Sequence, residues 1–252
     1  TGAVEGAHFL KTGELVSLSE QQLVDCDHTC LEDEPEACDA GCDGGLPLNA
    51  MSYVKRRGLD SEARYPYKAV AGECASRRDG PSAVSTIADF GLVSQNETQI
   101  AAALVKHGPL SIGIDAAWMQ TYAGGVACPW ICNKRALDHG VLIVGYDGDG
   151  SFAPVRLHKE PYWIIKNSWS TKFGNEGACL PSAFPAAPCL PCPLVCAARP
   201  LCALSASSHF REPFPAAGFI KMARGYKDEA HETGGCAHIG CCGWVPCITV
   251  PV

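Results

Sequence analysis

No run of about 18 consecutive apolar residues occurs in the 252-residue sequence, so no segment has the apolar length that a bilayer-spanning helix needs. Basic character is also scarce. Lys and Arg number 20 against 27 Asp and Glu, a formal net charge of −7, whereas a protein that grips nucleic acid needs the opposite balance to neutralise phosphates. Nor is there a block of like charges that would hold a membrane surface. The chain opens on Thr1-Gly2-Ala3, with neither an initiator methionine nor a signal peptide, and is expected to be a processed product or a fragment. These absences leave peptides and neutral molecules as the expected partners.

Cysteine, by contrast, is abundant. Sixteen cysteines fit an oxidising compartment with disulfides better than a reduced cytosol. A hydrophobic share of 47% supplies a real core, enough for one large domain or two small ones. Asn96-Glu97-Thr98 is a glycosylation sequon, yet Asn96 and Gln99 also have capping-box spacing ahead of Ile100 and Leu104, and the cap is the expected role.

The first ninety or so residues are helical in tone. Thr1 to Leu10 is predicted as helix, Ser19 caps a second helix through Cys26, and a loop-rich, cysteine-rich stretch follows. From about Ile87 strands dominate: Pro109 to Ile114, Val141 to Tyr146 and Tyr162 to Ile165, with a helix at Glu97 to Lys106 that stops at Gly108-Pro109. One block fits neither half. Ala178 to Ala217 is rich in Ala, Pro and Cys and has no period on which to build an element. It reads as an insertion expected to be disordered, with translated non-coding sequence as its expected origin. Its Cys189-x-x-Cys192 has no partner pair at zinc-ribbon spacing, and no metal is expected.

His139, in "ALDHGVLIVGY", heads the apolar strand Val141 to Val144, where neighbours decide the charge state of the ring. Asn167 stands two residues beyond the oily run Tyr162 to Ile165. A carboxamide oxygen there would accept from imidazole Nδ1–H, fix the tautomer and leave Nε2 as the outward base. An amide orients the ring without adding the negative charge of a carboxylate, and leaves stabilisation of an imidazolium to an anionic thiolate. The indole of Trp169 would keep water off that hydrogen bond.

The stretches "LSEQQLVDCD", "GCDGGLPLNA", "YPY", "LDHGVLIVGYDG", "PYWIIKNSW" and "GFIKMARG" together resemble the papain family of cysteine proteases, in order and near family spacing. The cysteine-rich stretches resemble most the vacuolar enzymes of plants and algae, relatives of cathepsin F. The resemblance covers Thr1 to Gly177 and resumes from Gly218 to about Gly225. It implies an α+β fold of two domains, a mostly helical half over residues 1–88 and a β-barrel-like half over residues 89–252, with a peptide cleft between them. It makes His139 the partner of a thiolate, Asn167 its orienting amide and Trp169 the shielding indole. Gly44 and Gly45 become the extended backbone that hydrogen-bonds a substrate peptide, where a glycine lets another backbone come close. Leu46, Gly113 and Leu137 would line an apolar pocket for the second residue before the scissile bond, with Leu, Val or Phe preferred, and Asp138 would modulate the ion pair.

The same resemblance implies disulfides Cys26–Cys74 and Cys30–Cys38, and for Cys132 a partner among Cys236, Cys241 and Cys242. The family's nucleophile lies in "CGSCW", about half a dozen residues ahead of the position that Thr1 matches, and its oxyanion-binding glutamine lies earlier still. Cys42 would pair with the first cysteine of that motif and is therefore expected to be a free thiol. Residues 1–252 taken alone are then expected to show no peptidase activity, since loss of a nucleophile removes most of a catalytic unit's advantage. Ser170 stands where glycine is usual and Phe173 where a second tryptophan is frequent. The expected partners are peptide and protein substrates and cystatin-like inhibitors, the expected state a monomer with no cofactor, and the expected compartment an acidic lysosome or vacuole, or the cell exterior. Two rival readings are a peptide-binding pseudoprotease and a cysteine-rich structural or metal protein.

Overall fold

Helix α1, Gly2–Thr12, turns Ala3, Val4 and Ala7 inward, and α2, Glu20–Cys26, begins where the hydroxyl of Ser19 accepts the N–H of Gln22 at 2.9 Å. In this computed structural model the described residues are 1–75, 83–94, 96–122, 124–127, 137–153, 158–169, 173–174, 218–223 and 247–249. The block 178–217, Ser170, Cys132 and the tail cysteines 236, 241 and 242 lie outside them. Among the described residues no helix is long and apolar enough to cross a membrane.

A third helix, α3, Pro47–Arg57, occupies what the sequence reading treats as loop. Pro47 sits in its first turn, where a missing N–H costs nothing, and Asn49, Met51, Tyr53 and Val54 are buried. The glycines and cysteines just upstream mask a helix whose buried residues still recur at helical spacing. With Val4, Leu18, Leu59 and Ile87, Met51 and Val54 form the core of the first half.

Strand β1, Gly91–Val93, leads to helix α4, Glu97–His107. The capping box is half formed. Asn96 Oδ1 accepts from the N–H groups of Thr98 and Gln99 at 2.9 and 3.2 Å, but the Gln99 side chain turns to the hydroxyl of Ser94 instead of reaching back to Asn96. Then come β2, Leu110–Ile114, β3, Val126–Ala127, β4, His139–Ala153, β5, His158–Asn167, β6, Gly218–Ala223, and β7, Cys247–Thr249. The sheet runs in the order β1-β7-β2-β4-β5-β6-β3, and among the described strands the β3–β6 pair is parallel and the others antiparallel. Leu110, Ile112, Ile143, Trp163, Ile165 and Ile220 are fully buried between this sheet and α4 with its neighbours, each contributing about 1.5–3 kcal/mol of burial.

Strand β6 pairs along its whole length with β5, from Tyr162↔Ala223 to Asn167↔Gly218. The chain thus returns to its place after the Ala/Pro/Cys-rich block, in keeping with the slow growth of loop-closure entropy with length. Disulfides join Cys26 to Cys74 and Cys30 to Cys38, and Cys42 is free and exposed.

Candidate active site

The sheet register brings the site together. Strand β4 begins at His139, opposite Ile114 of β2, and β5 ends at Asn167, so the antiparallel β4–β5 pair leaves both residues at the same edge although 28 positions separate them. His139 Nε2 lies 2.7 Å from Asn167 Oδ1. The backbone N–H of Ser168 donates to that same oxygen at 2.8 Å, which identifies it as the carbonyl side of the amide. A carbonyl can only accept, so Nε2 carries the proton and the free lone pair of a neutral ring is on Nδ1. This corrects the sequence reading, which put Nδ1 on the amide and made Nε2 the base. Spacing along the chain carries no information on which way the ring faces.

Asn167 is 2% exposed, and its Nδ2 is buried without an acceptor among the described residues. The indole of Trp169 lies over the imidazole, with ring centroids 5.1 Å apart and a 36° tilt, and Phe173 backs it edge-on at 4.9 Å. That cover lowers the local dielectric around the His139–Asn167 bond and strengthens it.

Beside the ring opens a cavity of about 590 Å³. Gly44, Gly45, Leu46, Gly113, Leu137, Asp138 and His139, all singled out in the sequence, line it together with Leu23, Val24, Asp39, Gly41, Pro47, Ala50 and Gly140, which were not. One side belongs to the helical half and the other to β2 and the start of β4. Asp138 points its Oδ1 at the N–H of Ala116, 2.8 Å away, which fixes the turn just before His139. The two glycines differ in what they need. Gly44 has φ 116° and ψ −176°, backbone that a side chain rarely adopts, with open space around it. At Gly45 the backbone is ordinary, but a Cβ would stand 2.6 Å from Asp39 Oδ1.

A second cavity of about 320 Å³ lies at the head of α1. Thr1, Gly2, Ala3, Gly140, Asn167 and Ser168 are in its wall, so it abuts the imidazole–amide pair. Glu5 lies close by, its carboxyl raised from the usual range by burial while its Oε1 accepts the N–H of Leu18 at 3.0 Å. No cluster of metal-ligating side chains occurs among the described residues.

A papain family cysteine protease model matches residues 1–180. Cysteine proteinase 1 of Zea mays is 56% identical over 178 residues, 70% of this chain and 47% of that protein. Cathepsin F of Drosophila melanogaster is 45% identical over 181 residues, 70% of this chain and 27% of that protein. Among solved structures, the Carica candamarcensis cysteine protease CMS1MS2 in complex with E-64 has a TM-score of 0.62 at 26% identity, covering 98% of this chain and 83% of that one. The chain spans about half the length of the plant relatives it matches.

Proposed function

Because the chain belongs to the papain family of cysteine proteases, we propose that the protein hydrolyses peptide bonds as a cysteine endopeptidase. One observation carries the reading: an imidazole fixed at 2.7 Å by a buried amide stands at the wall of a cleft bounded by both halves of the fold. Nδ1 of His139 is the nitrogen available to take a thiol proton. The resulting thiolate attacks the scissile carbonyl carbon, the imidazolium returns the proton to the departing amine, and water then releases the acyl group with the ring again as base. Asn167 keeps Nε2–H satisfied throughout, so that the ring acquires and gives up charge at Nδ1 alone.

On the family resemblance the thiol lies ahead of the position that Thr1 matches. Among the cysteines whose side chains are described, Cys26, Cys30, Cys38 and Cys74 are consumed in disulfides, and Cys42 is exposed on a turn of the helical half. The cavity at the head of α1 has room for a preceding turn, and the N-terminus of a helix favours a thiolate. Gly44–Leu46 serve as the strand that receives an extended peptide, and Leu46, Gly113 and Leu137 as the apolar pocket for its second residue before the cut. The substrates are peptides and proteins, with Leu, Val or Phe in that pocket, and an acidic lysosome, vacuole or extracellular space is the place of work.

The test is to express residues 1–252 and the same chain preceded by the upstream sequence of its own transcript, and to assay both with a fluorogenic peptide and an irreversible thiol-directed inhibitor. The extended protein is expected to cleave the peptide and to titrate one-to-one with the inhibitor, and residues 1–252 to do neither. Turnover by residues 1–252, or silence from an extended protein that carries "CGSCW", would overturn the reading.

A further inference from the structure

Beneath the glycine pair lies a pair of carboxyl groups that the reaction does not use. Asp27, which closes α2, is 1% exposed and Asp39 is 9% exposed. Asp27 Oδ1 accepts the N–H and the hydroxyl of Thr29 at 3.0 and 2.6 Å, whereas its Oδ2 is buried with no donor. Asp39 Oδ1 accepts the N–H of Leu46 at 2.7 Å and Nδ2 of Asn49 at 3.1 Å. The two acids are neighbours through Thr29, which gives its N–H and hydroxyl to Asp27 and accepts the N–H of Asp39 on its carbonyl at 2.9 Å, and two buried carboxyls side by side can bond to each other only when one carries a proton. Asp27 Oδ2 is the vacant acceptor, so a proton on the Asp39 oxygen that Leu46 does not hold, shared between the two acids, would give it the donor it lacks. Burial, reinforced by Asp27, pushes the Asp39 carboxyl up to about 6 against the pull of the Leu46 and Asn49 donors.

The other charged groups nearby do not relieve the pair. Arg56 of α3 spends its Nη2 on the hydroxyl of Thr29 at 2.8 Å, His28 and Asp43 are exposed, and Asp25 of α2 accepts from Gln21, Tyr65 and Gly72. Loss of the shared proton therefore sets two buried anions against each other, one with an oxygen that nothing satisfies. The shortest escape is for Asp39 to swing away, and that breaks its bond to Leu46.

We propose that Asp39 is a positioning residue for the Gly44–Leu46 segment, and that a proton shared with Asp27 pins that segment at acidic pH and releases it as the proton leaves. The consequence for catalysis rests on the reading of this segment as the peptide-receiving edge of the cleft. An enzyme so built keeps an ordered substrate edge in an acidic compartment and a looser one outside it.

The pin can be read without any substrate, so its failure is separable from a failure of the peptidase reading. The probe is hydrogen exchange at the Leu46 amide of residues 1–252, corrected for intrinsic rate and referred to the β2–β4 ladder. Protection in the wild type is expected to fall about tenfold between about pH 4.5 and 7.5. Asp27→Asn, which removes the opposing charge, should lessen that dependence and leave the part that burial causes. Asp39→Asn should keep the protection, because its Oδ1 still accepts, and lose the slope. Asp39→Ala should lose the protection at every pH. A wild-type profile that stays flat over the range, or an Asp27→Asn profile that keeps the wild-type slope, would overturn the proposal. Should one substitution prevent folding, the wild-type slope and the other isosteric variant still decide.

Discussion

Asn167 Oδ1 receives two donors at once, Nε2–H of His139 at 2.7 Å and the backbone N–H of Ser168 at 2.8 Å. The second bond anchors the amide to its own turn, so the first can hold the ring without the amide rotating. That orders the chemistry: the amide fixes the proton on Nε2 and leaves Nδ1 to gain and lose one.

The nitrogen assignment is open to direct measurement. In 15N spectra of residues 1–252 at a pH where His139 is neutral, its ring is expected in the Nε2–H tautomer, with Asn167→Ala moving it toward a mixture. In the thiol-bearing protein the same substitution should lower kcat by about 10- to 100-fold with KM nearly unchanged, since it disturbs a general base and not the peptide site. A spectrum dominated by Nδ1–H would reverse the assignment.

Glycine is required for different reasons at two adjacent positions. Gly44→Ala should cost about 1–3 kcal/mol through backbone conformation alone, whatever surrounds it. Gly45→Ala should cost stability by driving a methyl group into Asp39 Oδ1, and that cost should shrink when Asp39 is also shortened to Ala. A double-mutant cycle by urea unfolding reads the difference: Gly45 and Asp39 are expected to be non-additive, Gly44 and Asp39 close to additive.

Two buried aspartates set opposite ends of a pH window. Burial alone would raise the Asp25 carboxyl, but the Gly72 N–H, the Tyr65 hydroxyl and the Gln21 amide together hold it below the usual range. Its stabilisation is present above the unfolded value and is lost as pH falls through the lowered one. Asp39, pushed up to about 6 from 3.8, works the other way. Its contribution is complete below the unfolded value and is lost as pH rises through the folded one. Unfolding midpoints are therefore expected to decline in strong acid through Asp25 and to decline again between about pH 4 and 6 through Asp39. Asp27→Asn should shrink the second decline and leave the first unchanged.

Asp25→Ala would leave the donors of Gln21, Tyr65 and Gly72 without their acceptor, at 2.7, 2.8 and 2.8 Å in the wild type. The expected loss is about 3 kcal/mol or more, since each unsatisfied buried donor costs about 1–3. Thermal denaturation at neutral pH checks it, and a loss below about 1 kcal/mol would mean that water takes over the donors.

The two disulfides close loops of different size, with sequence separations of 48 for Cys26–Cys74 and 8 for Cys30–Cys38. On the loop-entropy account the longer one contributes about 1.5 kcal/mol more. Paired Cys→Ser variants of each bridge, compared by urea midpoint, are expected to rank in that order.

Local signals in the sequence were sufficient for much of the fold. Ser19 and Asn96 are helix caps read directly from residue type and spacing, and the runs Pro109 to Ile114, Val141 to Tyr146 and Tyr162 to Ile165 fall within or overlap β2, β4 and β5 because apolar, β-branched and aromatic residues suit a buried sheet. Helix α3 was missed because two glycines and a cysteine precede it, although Pro47 at its first turn was a start signal in plain view. Asp39 was legible only as an acidic residue between two cysteines. Nothing local reveals that a carboxyl lies under Gly45.

By itself, then, the sequence determined helices α1, α2 and α4, strands β2, β4 and β5, and which residue types stand at the site, because caps, periodicity and motif spacing act over a few residues. The tertiary structure alone decided that His139 turns Nε2 to the amide, that a Cβ at Gly45 would meet Asp39, and that Asp27 and Asp39 are both buried beneath the glycine pair. Each of these depends on the direction and burial of side chains brought together by sheet register and helix packing from distant parts of the chain, and a linear spacing contains neither.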